Sequence, residues 1–181
     1  MERHLLSAQG TTQPGRAFTI KSMCRELKDQ FMRRAIAIAT ENVRSNRGGP
    51  FGAVIVKDGQ IVGEGANSVT ATNDATAHAE IVAIRNACRN LNTFNLSGCE
   101  LFTSCEPCPM CLAASYWAHI QAIYYGNRAE DAARIHFADA FLYEQIALPR
   151  EKRKVPEIEL LREEAWESFQ AWTENPDKIE Y

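Results

Sequence analysis

The stretch Ala53-Val-Ile-Val-Lys-Asp-Gly-Gln-Ile-Val-Gly63 decides the fold of this chain. It contains two short apolar runs separated by Asp58-Gly59, and this dipeptide is a strong signal for a two-residue hairpin turn. We therefore predict two antiparallel strands here. The segments on either side then determine which kind of sheet these strands belong to.

On the N-terminal side of the hairpin, apolar residues recur at helical spacing. Phe31, Ala35 and Ala39 fall on one helical face, which predicts an amphipathic helix that begins near Leu27 and packs inward. Gly48-Gly49-Pro50 is expected to end this helix before the first strand begins.

On the C-terminal side, helical and strand patterns alternate. This alternation predicts an α/β fold, a three-layer α/β/α sandwich around a mixed central sheet of about five strands. The helix after the third strand is expected to begin at Pro107, because the N–H that proline lacks would be unpaired in the first turn. In order, the predicted segments are a helix over Ala79–Cys88, a strand over Glu100–Thr103, a helix from Pro107 to Ala118, a strand over Gln121–Gly126, helices near Ala129–His136 and Asp139–Ile146, a last strand over Glu157–Leu161 and a last helix over Trp166–Trp172.

The composition is that of an ordinary globular protein. With 181 residues, 45% of them hydrophobic and 24% charged, the chain is long enough for one domain with a substantial core. Residues 1–25 are polar and aperiodic, so we predict a flexible N-terminal arm there and a single domain over residues 26–181. Met23 is a second candidate for the translation start.

The charge and the cysteine content limit the partners and the location. Lysine and arginine number 20 and aspartate and glutamate 23, a formal charge of −3, which gives little support to a nucleic-acid partner. No apolar run approaches the roughly 18 residues of a membrane-spanning helix, and residues 1–16 lack the apolar centre of a secretory signal. We therefore expect a cytoplasmic protein without a membrane partner, whose six cysteines are reduced thiols or metal ligands.

Two segments, Thr76-Ala-His-Ala-Glu80 and Ser104-Cys-Glu-Pro-Cys-Pro-Met-Cys111, have the residue types of a metal site. Each is expected to open a helix, and Cys108 and Cys111 would share one face near a helix N-terminus. The positive end of the helix dipole lowers the pKa of a thiol there, and metals bind the thiolate. With the imidazole of His78 as a third ligand, the pattern predicts one Zn²⁺ ion per chain.

The number of ligands indicates a catalytic site. Structural zinc sites usually have four protein ligands, whereas catalytic sites have three and leave the fourth position to water. Glu80 lies two residues after His78 on the same helical turn, where it can move protons without binding the metal. His-x-Glu followed by Pro-Cys-x-x-Cys is the signature of zinc-dependent deaminases.

A closed structural zinc site is the main alternative from the residues alone. Cys105 or His119 would be its fourth ligand, and Cys105 and Cys108 also have ligand spacing. Cys105 precedes the predicted helix start, however, and so lies off the face of the two later cysteines. The remaining three cysteines are expected to be a thiol in the arm and two core thiols, at Cys24, Cys88 and Cys99.

At these residues the chain resembles the cytidine deaminase superfamily, and within it most closely the bacterial guanine deaminases. The similarity runs from about residue 28 to the end of the sequence. It implies the cytidine-deaminase-like fold and hydrolysis of guanine to xanthine and ammonia. The stretches that carry it are Gly48–Lys57, Asn73–Glu80, Thr103–Cys111, Phe169–Trp172 and Ile179–Tyr181.

The same resemblance implies roles for residues outside the zinc motif. Phe51 and Trp117 would sandwich a flat purine ring, Asn67 would read its polar edge, and the backbone N–H of Ala79 would bind its carbonyl oxygen or ring edge. Asp139 would relay a proton to the leaving ammonia. Without the resemblance, the two aromatic residues are core candidates, Asn67 is a loop cap and Asp139 is a helix N-cap.

The resemblance also implies a role for the C-terminal tail, and the sequence differs from the family at one position near Asp139. Tyr181, with the tail from about residue 165, would close the pocket by swapping between the two subunits of a homodimer. Ala138 stands where relatives in that family carry an acidic residue, so the proton relay depends on Asp139 alone.

Other functions remain open from the sequence. The same chemistry would serve guanosine, cytosine, an aminated triazine or an adenosine in tRNA as substrate, although a tRNA enzyme would favour a basic face. A non-catalytic zinc-binding interaction module is the alternative from a different class.

Overall fold

The structure is a computed structural model that describes residues 20–180, with side chains from Arg25 onward. Over these residues it has four strands, seven α-helices and one short 3₁₀ helix. The first part of the chain forms α1 (Ile20–Arg44), β1 (Gly52–Lys57), β2 (Gln60–Ala66), α2 (Val69–Thr72), α3 (Ala79–Leu91) and β3 (Cys99–Cys105). The rest forms α4 (Pro109–Trp117), β4 (Ala122–Asn127), α5 (Ala129–Arg134), α6 (Ala140–Ala147), the 3₁₀ helix (Arg150–Lys152) and α7 (Arg162–Glu174).

The sheet has the strand order β2-β1-β3-β4 and is mixed. The predicted hairpin is present, since β1 pairs antiparallel with β2 and Lys57 faces Gln60 across the Asp58-Gly59 turn. On its other side β1 pairs antiparallel with β3, and β3 pairs parallel with β4. Strands β2 and β3 therefore run in the same direction and end at the same edge of the sheet.

Strand β1 is buried on both faces, and its residues alternate between two helical layers. Val54 and Val56 pack with Phe31 of α1 and Phe102 of β3 on one face. Ala53 and Ile55 point to the opposite face, where they pack with residues of α3. Because successive strand residues point to opposite faces, this continuous apolar run supports helices on both sides. The fold class is confirmed as a three-layer α/β/α sandwich.

Helix α3 lies unusually close to β2. A Cβ atom added to Gly65 would lie 2.1 Å from the carbonyl oxygen of Ala79 and 2.5 Å from the nitrogen of Ala83. Only glycine permits this approach, because any side chain would displace the helix backbone. The approach fixes the N-terminus of α3 over the end of the sheet.

The prediction of about five strands is wrong for the described part of the chain, which has four. Residues 157–161, predicted as the last strand, have no regular secondary structure and belong to no sheet. A strand needs a neighbour for its backbone groups, and none of the described strands pairs with this segment. Ile158 and Leu160 are each 77% exposed there, and β4 is an edge strand.

Three helix starts differ from the prediction by two residues or more, and the last helix begins at Arg162 rather than Trp166. Helix α1 begins at Ile20, earlier than expected, and neither glycine nor proline occurs between Gly15 and Gly48 to stop it. Residues 20–25 are thus helical, while residues 1–19 lie outside the described residues and the arm there stays a prediction. Helix α4 begins at Pro109 rather than Pro107, so the first-turn argument holds for a different proline.

No helix among residues 20–180 is both long enough and apolar enough to cross a membrane.

Candidate active site

Two helix N-termini meet at one edge of the sheet. Helices α3 and α4 follow β2 and β3, which end at the same edge, and His78 and Cys108 are the N-cap residues of these helices. Cys111 lies in the first turn of α4 and is fully buried. The topology therefore brings together the three side chains that the sequence predicts as ligands.

The distances between these side chains fit a zinc ion. Nδ1 of His78 lies 3.5 Å from Sγ of Cys108 and 3.6 Å from Sγ of Cys111. Bond lengths of about 2.0 Å to nitrogen and 2.3 Å to sulfur in a tetrahedral site place such ligand atoms about 3.6 Å apart. All three ligand atoms lie within 4.8 Å of one another, so the cluster can hold one metal ion.

The thiol environments separate Cys108 from Cys105. Hydrogen bonds from Cys111 and His78 lower the pKa of Cys108 to about 4, which favours the thiolate that a metal binds. Burial raises the pKa of Cys105 to about 11, and its Sγ lies 3.8 Å from the carbonyl oxygen of Arg128. His119 follows the far end of α4. Neither residue joins the metal-binding group among the described residues, so the cluster has three ligands.

Glu80 is a buried carboxylate beside the cluster. It is 5% exposed, and its Oε1 accepts a hydrogen bond of 3.2 Å from the hydroxyl of Thr103. Its Oε2 lies 3.4 Å from Sγ of Cys111, although Glu80 is not part of the ligand group. Burial raises the pKa of Glu80, which makes its carboxylate a better proton acceptor.

A cavity of about 260 Å³ opens onto the cluster. Of the residues predicted for the site, it brings together His78, Glu80, Cys108, Phe51, Asn67 and Asp139. Ala79 is the first residue of α3, and its N–H is one of the first-turn donors that have no acceptor within the helix. Burial raises the pKa of Asp139, the N-cap residue of α6.

The predicted aromatic sandwich is not assembled in the single chain. Phe51 lines the cavity, but its ring contacts Phe137, at 5.0 Å between centroids and an interplanar angle of 88°. Trp117 is the last residue of α4, about 13 Å along the helix from its N-terminus, and is 69% exposed. It does not line the cavity, and its stacking role stays a prediction. Tyr181 lies outside the described residues.

The family described as the cytidine and deoxycytidylate deaminase zinc-binding region matches residues 25–127. The chain belongs to this deaminase family. The matched range contains the three metal-binding residues and Glu80, and ends before Asp139.

Individual relatives of this deaminase are similar over different lengths. Guanine deaminase of Bacillus subtilis is 50% identical over 153 residues, which cover 84% of this chain and 98% of that protein. The X-ray structure of guanine deaminase from B. subtilis matches with a TM-score of 0.82 and the same coverage. The tRNA-specific adenosine deaminase of Aquifex aeolicus is 39% identical over 111 residues, 61% of this chain and 65% of that protein.

Several residues at the deaminase cavity were not predicted from the sequence, and three of them make contacts that shape it. Phe137 contacts Phe51, and Glu106 accepts a hydrogen bond of 3.1 Å from the backbone nitrogen of Ala129. Both line the cavity. Asn42 is buried behind it and binds two of the segments that form its wall. The sequence could have indicated Asn42, because it is a polar residue on the otherwise apolar inward face of α1.

Proposed function

We propose that this chain is a guanine deaminase, which hydrolyses guanine to xanthine and ammonia. The observation that carries the proposal is the 50% identity to a guanine deaminase across 98% of that protein's length. The cavity supports it, since an apolar ring wall, a buried carboxylate and a three-ligand metal cluster meet in one space.

In this proposal His78, Cys108 and Cys111 hold the zinc ion. When bound, zinc lowers the pKa of a water molecule to about 7 and so supplies a nucleophile at neutral pH. Glu80 accepts a proton from the attacking water and delivers it to the ring nitrogen next to the reacting carbon. Asp139, which also lines the cavity, assists transfer of the second proton of that water to the amino group. The carbon–nitrogen bond breaks, and ammonia leaves.

The other lining residues bind and orient the base. The ring of Phe51 provides an aromatic surface for the purine, and Phe137 supports that ring by its edge contact. The amide of Asn67 reads the polar edge of the base, and the N–H of Ala79 donates to its carbonyl oxygen or ring edge.

The proposal includes a homodimer with exchanged C-terminal tails. No residue of α7 is buried, and the apolar side chains of residues 155–179 are largely exposed. The edge strand β4 has no neighbouring strand on its outer side, and residues 157–160 belong to no sheet within the described part of the chain. An extended segment of a partner subunit can add to such an edge. The exchanged tail would carry Tyr181 to the partner's cavity.

A cytoplasmic location is part of the same proposal. Zinc binding requires Cys108 and Cys111 as reduced thiolates, which a reducing compartment maintains.

A substrate panel tests the function. We would incubate the purified zinc-loaded protein with guanine, guanosine, adenine, cytosine and ammeline, and measure ammonia release. We expect guanine to be preferred, with xanthine formed in equal amount. Preference for another compound would contradict the substrate but keep the deaminase. One bound zinc per chain without ammonia from any compound would favour the non-catalytic module.

A further inference from the structure

Asn42 is a buried polar residue on the inward face of α1. It follows Phe31, Ala35 and Ala39 along the stripe that packs against the sheet, and it is 2% exposed. A buried amide is costly unless it is hydrogen-bonded. The Nδ2 of Asn42 donates to the carbonyl oxygen of Gly49 at 2.9 Å and to that of Asn67 at 2.8 Å.

The two acceptors belong to separate segments of the cavity wall. Gly49 lies in the loop before β1, and Asn67 follows β2; both line the cavity. The segments also bind each other, since the nitrogen of Asn67 donates to the carbonyl oxygen of Phe51 at 3.1 Å. The nitrogen of Gly49 lies 3.4 Å from Oδ1 of Asn67, a long hydrogen bond. The amide of Asn42 thus joins both segments to α1.

The hydrogen bonds from Asn42 to Gly49 and Asn67 form a junction between α1 and the cavity wall. Atoms at this junction are closely packed. A Cβ atom on Gly48 would lie 2.2 Å from the carbonyl oxygen of Asn67 and 3.0 Å from Nδ2 of Asn42. An alanine at this position would therefore push Asn67 away from Asn42 without altering the core face of α1. The junction can be disturbed independently from two sides.

We propose that Asn42 is a positioning residue that orients Asn67 and Phe51 for binding of the base. The inference rests on the proposed function, which assigns base binding to these two residues. The metal cluster and Glu80 are attached to α3 and α4 and do not contact Asn42. Disturbing the junction should consequently weaken ground-state binding, which raises KM and leaves kcat nearly unchanged.

The chain offers a matched control for the asparagine change. Asn86 of α3 also donates its Nδ2 to a backbone carbonyl, that of Glu64 at 2.7 Å, but it does not line the cavity. Replacing Asn86 by Asp removes the same kind of donor outside the cavity. Asn86 is only partly buried and also accepts a hydrogen bond from Arg89, so this variant controls for the loss of a side-chain bond to a strand carbonyl. Thermal unfolding of all variants then separates a loss of stability from a loss of binding.

The experiment compares Asn42→Asp, Gly48→Ala and Asn86→Asp with the unmodified protein in guanine deamination, zinc content and xanthine binding by equilibrium dialysis. For Asn42→Asp and Gly48→Ala we expect KM for guanine and Kd for xanthine to rise by about tenfold, since each loses hydrogen bonds that fix the binding groups. We expect kcat to stay within about threefold and zinc at one per chain. For Asn86→Asp we expect neither constant to change by more than about twofold.

The outcomes separate the two proposals. Absence of ammonia from guanine with the unmodified protein would overturn the proposed function itself. Normal turnover of the unmodified protein, with unchanged KM and Kd in Asn42→Asp and Gly48→Ala, would overturn only the role of Asn42. A fall in kcat with unchanged KM, or an equal rise of KM in Asn86→Asp, would also overturn it. So would failure of both junction variants to fold, because the junction would then serve stability.

Discussion

Glu80 is a buried carboxylate that lies next to the metal ligands but is not one of them. It is almost completely buried, and its hydrogen bond from Thr103 holds it beside Cys111 without making it a metal ligand. Burial raises the pKa of Glu80 above its usual value, which makes the carboxylate a better proton acceptor. Its surroundings suit proton transfer rather than metal binding.

Replacing Glu80 by Gln therefore tests proton transfer directly. The amide keeps the shape and the hydrogen bond from Thr103 but cannot accept a proton. We expect kcat to fall by about two to four orders of magnitude, with zinc retained at one per chain. Steady-state ammonia release and metal analysis measure the two quantities. Near-normal kcat in this variant would contradict the assigned role.

Cys105 and Cys111 should differ in their effect on metal binding. Cys105→Ser should keep about one zinc per chain, because the Cys105 thiol lies outside the ligand group. Cys111→Ser should lose most of the metal, since a hydroxyl is a poor substitute for a thiolate. Metal analysis after dialysis checks both. Equal zinc loss in the two variants would favour the closed structural site.

At the scale of residues, the sequence predicted the cluster better than the cavity wall. His78, Cys108, Cys111 and Glu80 lie in two short motifs, and the spacing within each motif is set by one helical turn. Phe137 and Asn42 reach the site through packing between elements distant in sequence. Local patterns carry no information about such contacts, apart from the polar position on the inward face of α1.

At the scale of elements, a bidentate ion pair joins α1 to β2. The guanidinium of Arg34 donates to both carboxylate oxygens of Glu64, at 2.7 and 2.6 Å. These hydrogen bonds lower the pKa of Glu64. Both side chains are partly exposed, so solvent screening limits the contribution to about 1 kcal/mol or less.

This ion pair predicts a pH-dependent effect of Glu64→Gln. A carboxylate with a lowered folded-state pKa contributes stability above its unfolded pKa of about 4.3, and the contribution is lost as the pH falls through the lower folded value. We expect the variant to unfold about 1–3 °C lower at pH 7, and the difference to shrink steadily below about pH 4. Thermal unfolding across this range measures it.

Glu41→Gln is the control for this prediction. Glu41 contacts Arg47 at 3.4 Å with both side chains well exposed, so its loss should have no measurable effect at either pH. A constant difference for Glu64→Gln down to acidic pH would contradict the ion-pair explanation.

The elements themselves were largely predictable, with one informative exception. The Asp58-Gly59 turn and the apolar periods located the hairpin, α1 and α3, because these signals are local. Residues 157–161 have the apolar content of a strand, but a strand exists only beside a neighbour. The sequence cannot show whether that neighbour belongs to the same chain.

At the scale of the whole molecule, the exposed tail decides the predicted quaternary structure. Ile158 and Leu160 are exposed and lie on the segment that the proposed dimer would bury. Burying a large aliphatic side chain contributes about 1.5–3 kcal/mol, so glutamates at both positions should weaken the dimer by more than about a hundredfold. We expect Ile158→Glu/Leu160→Glu to be monomeric by light scattering at micromolar concentration, with zinc retained.

The residue between them provides the control. Glu159→Gln changes the same segment without adding charge and should leave the dimer intact. A monomeric unmodified protein, or an unchanged dimer in the double variant, would contradict the exchange of tails.

Strands β2 and β3 run in the same direction, and this arrangement affects how substrate specificity can change among such enzymes. The metal-binding residues lie at the N-termini of α3 and α4, beside the buried core, where few substitutions are tolerated. Most of the remaining cavity wall comes from connecting segments, including the loop before β1, the turn after β2 and the stretch before α6. Connections change more readily than the elements they join. A new substrate can therefore be acquired by altering a few loop residues, while the reaction chemistry is inherited intact.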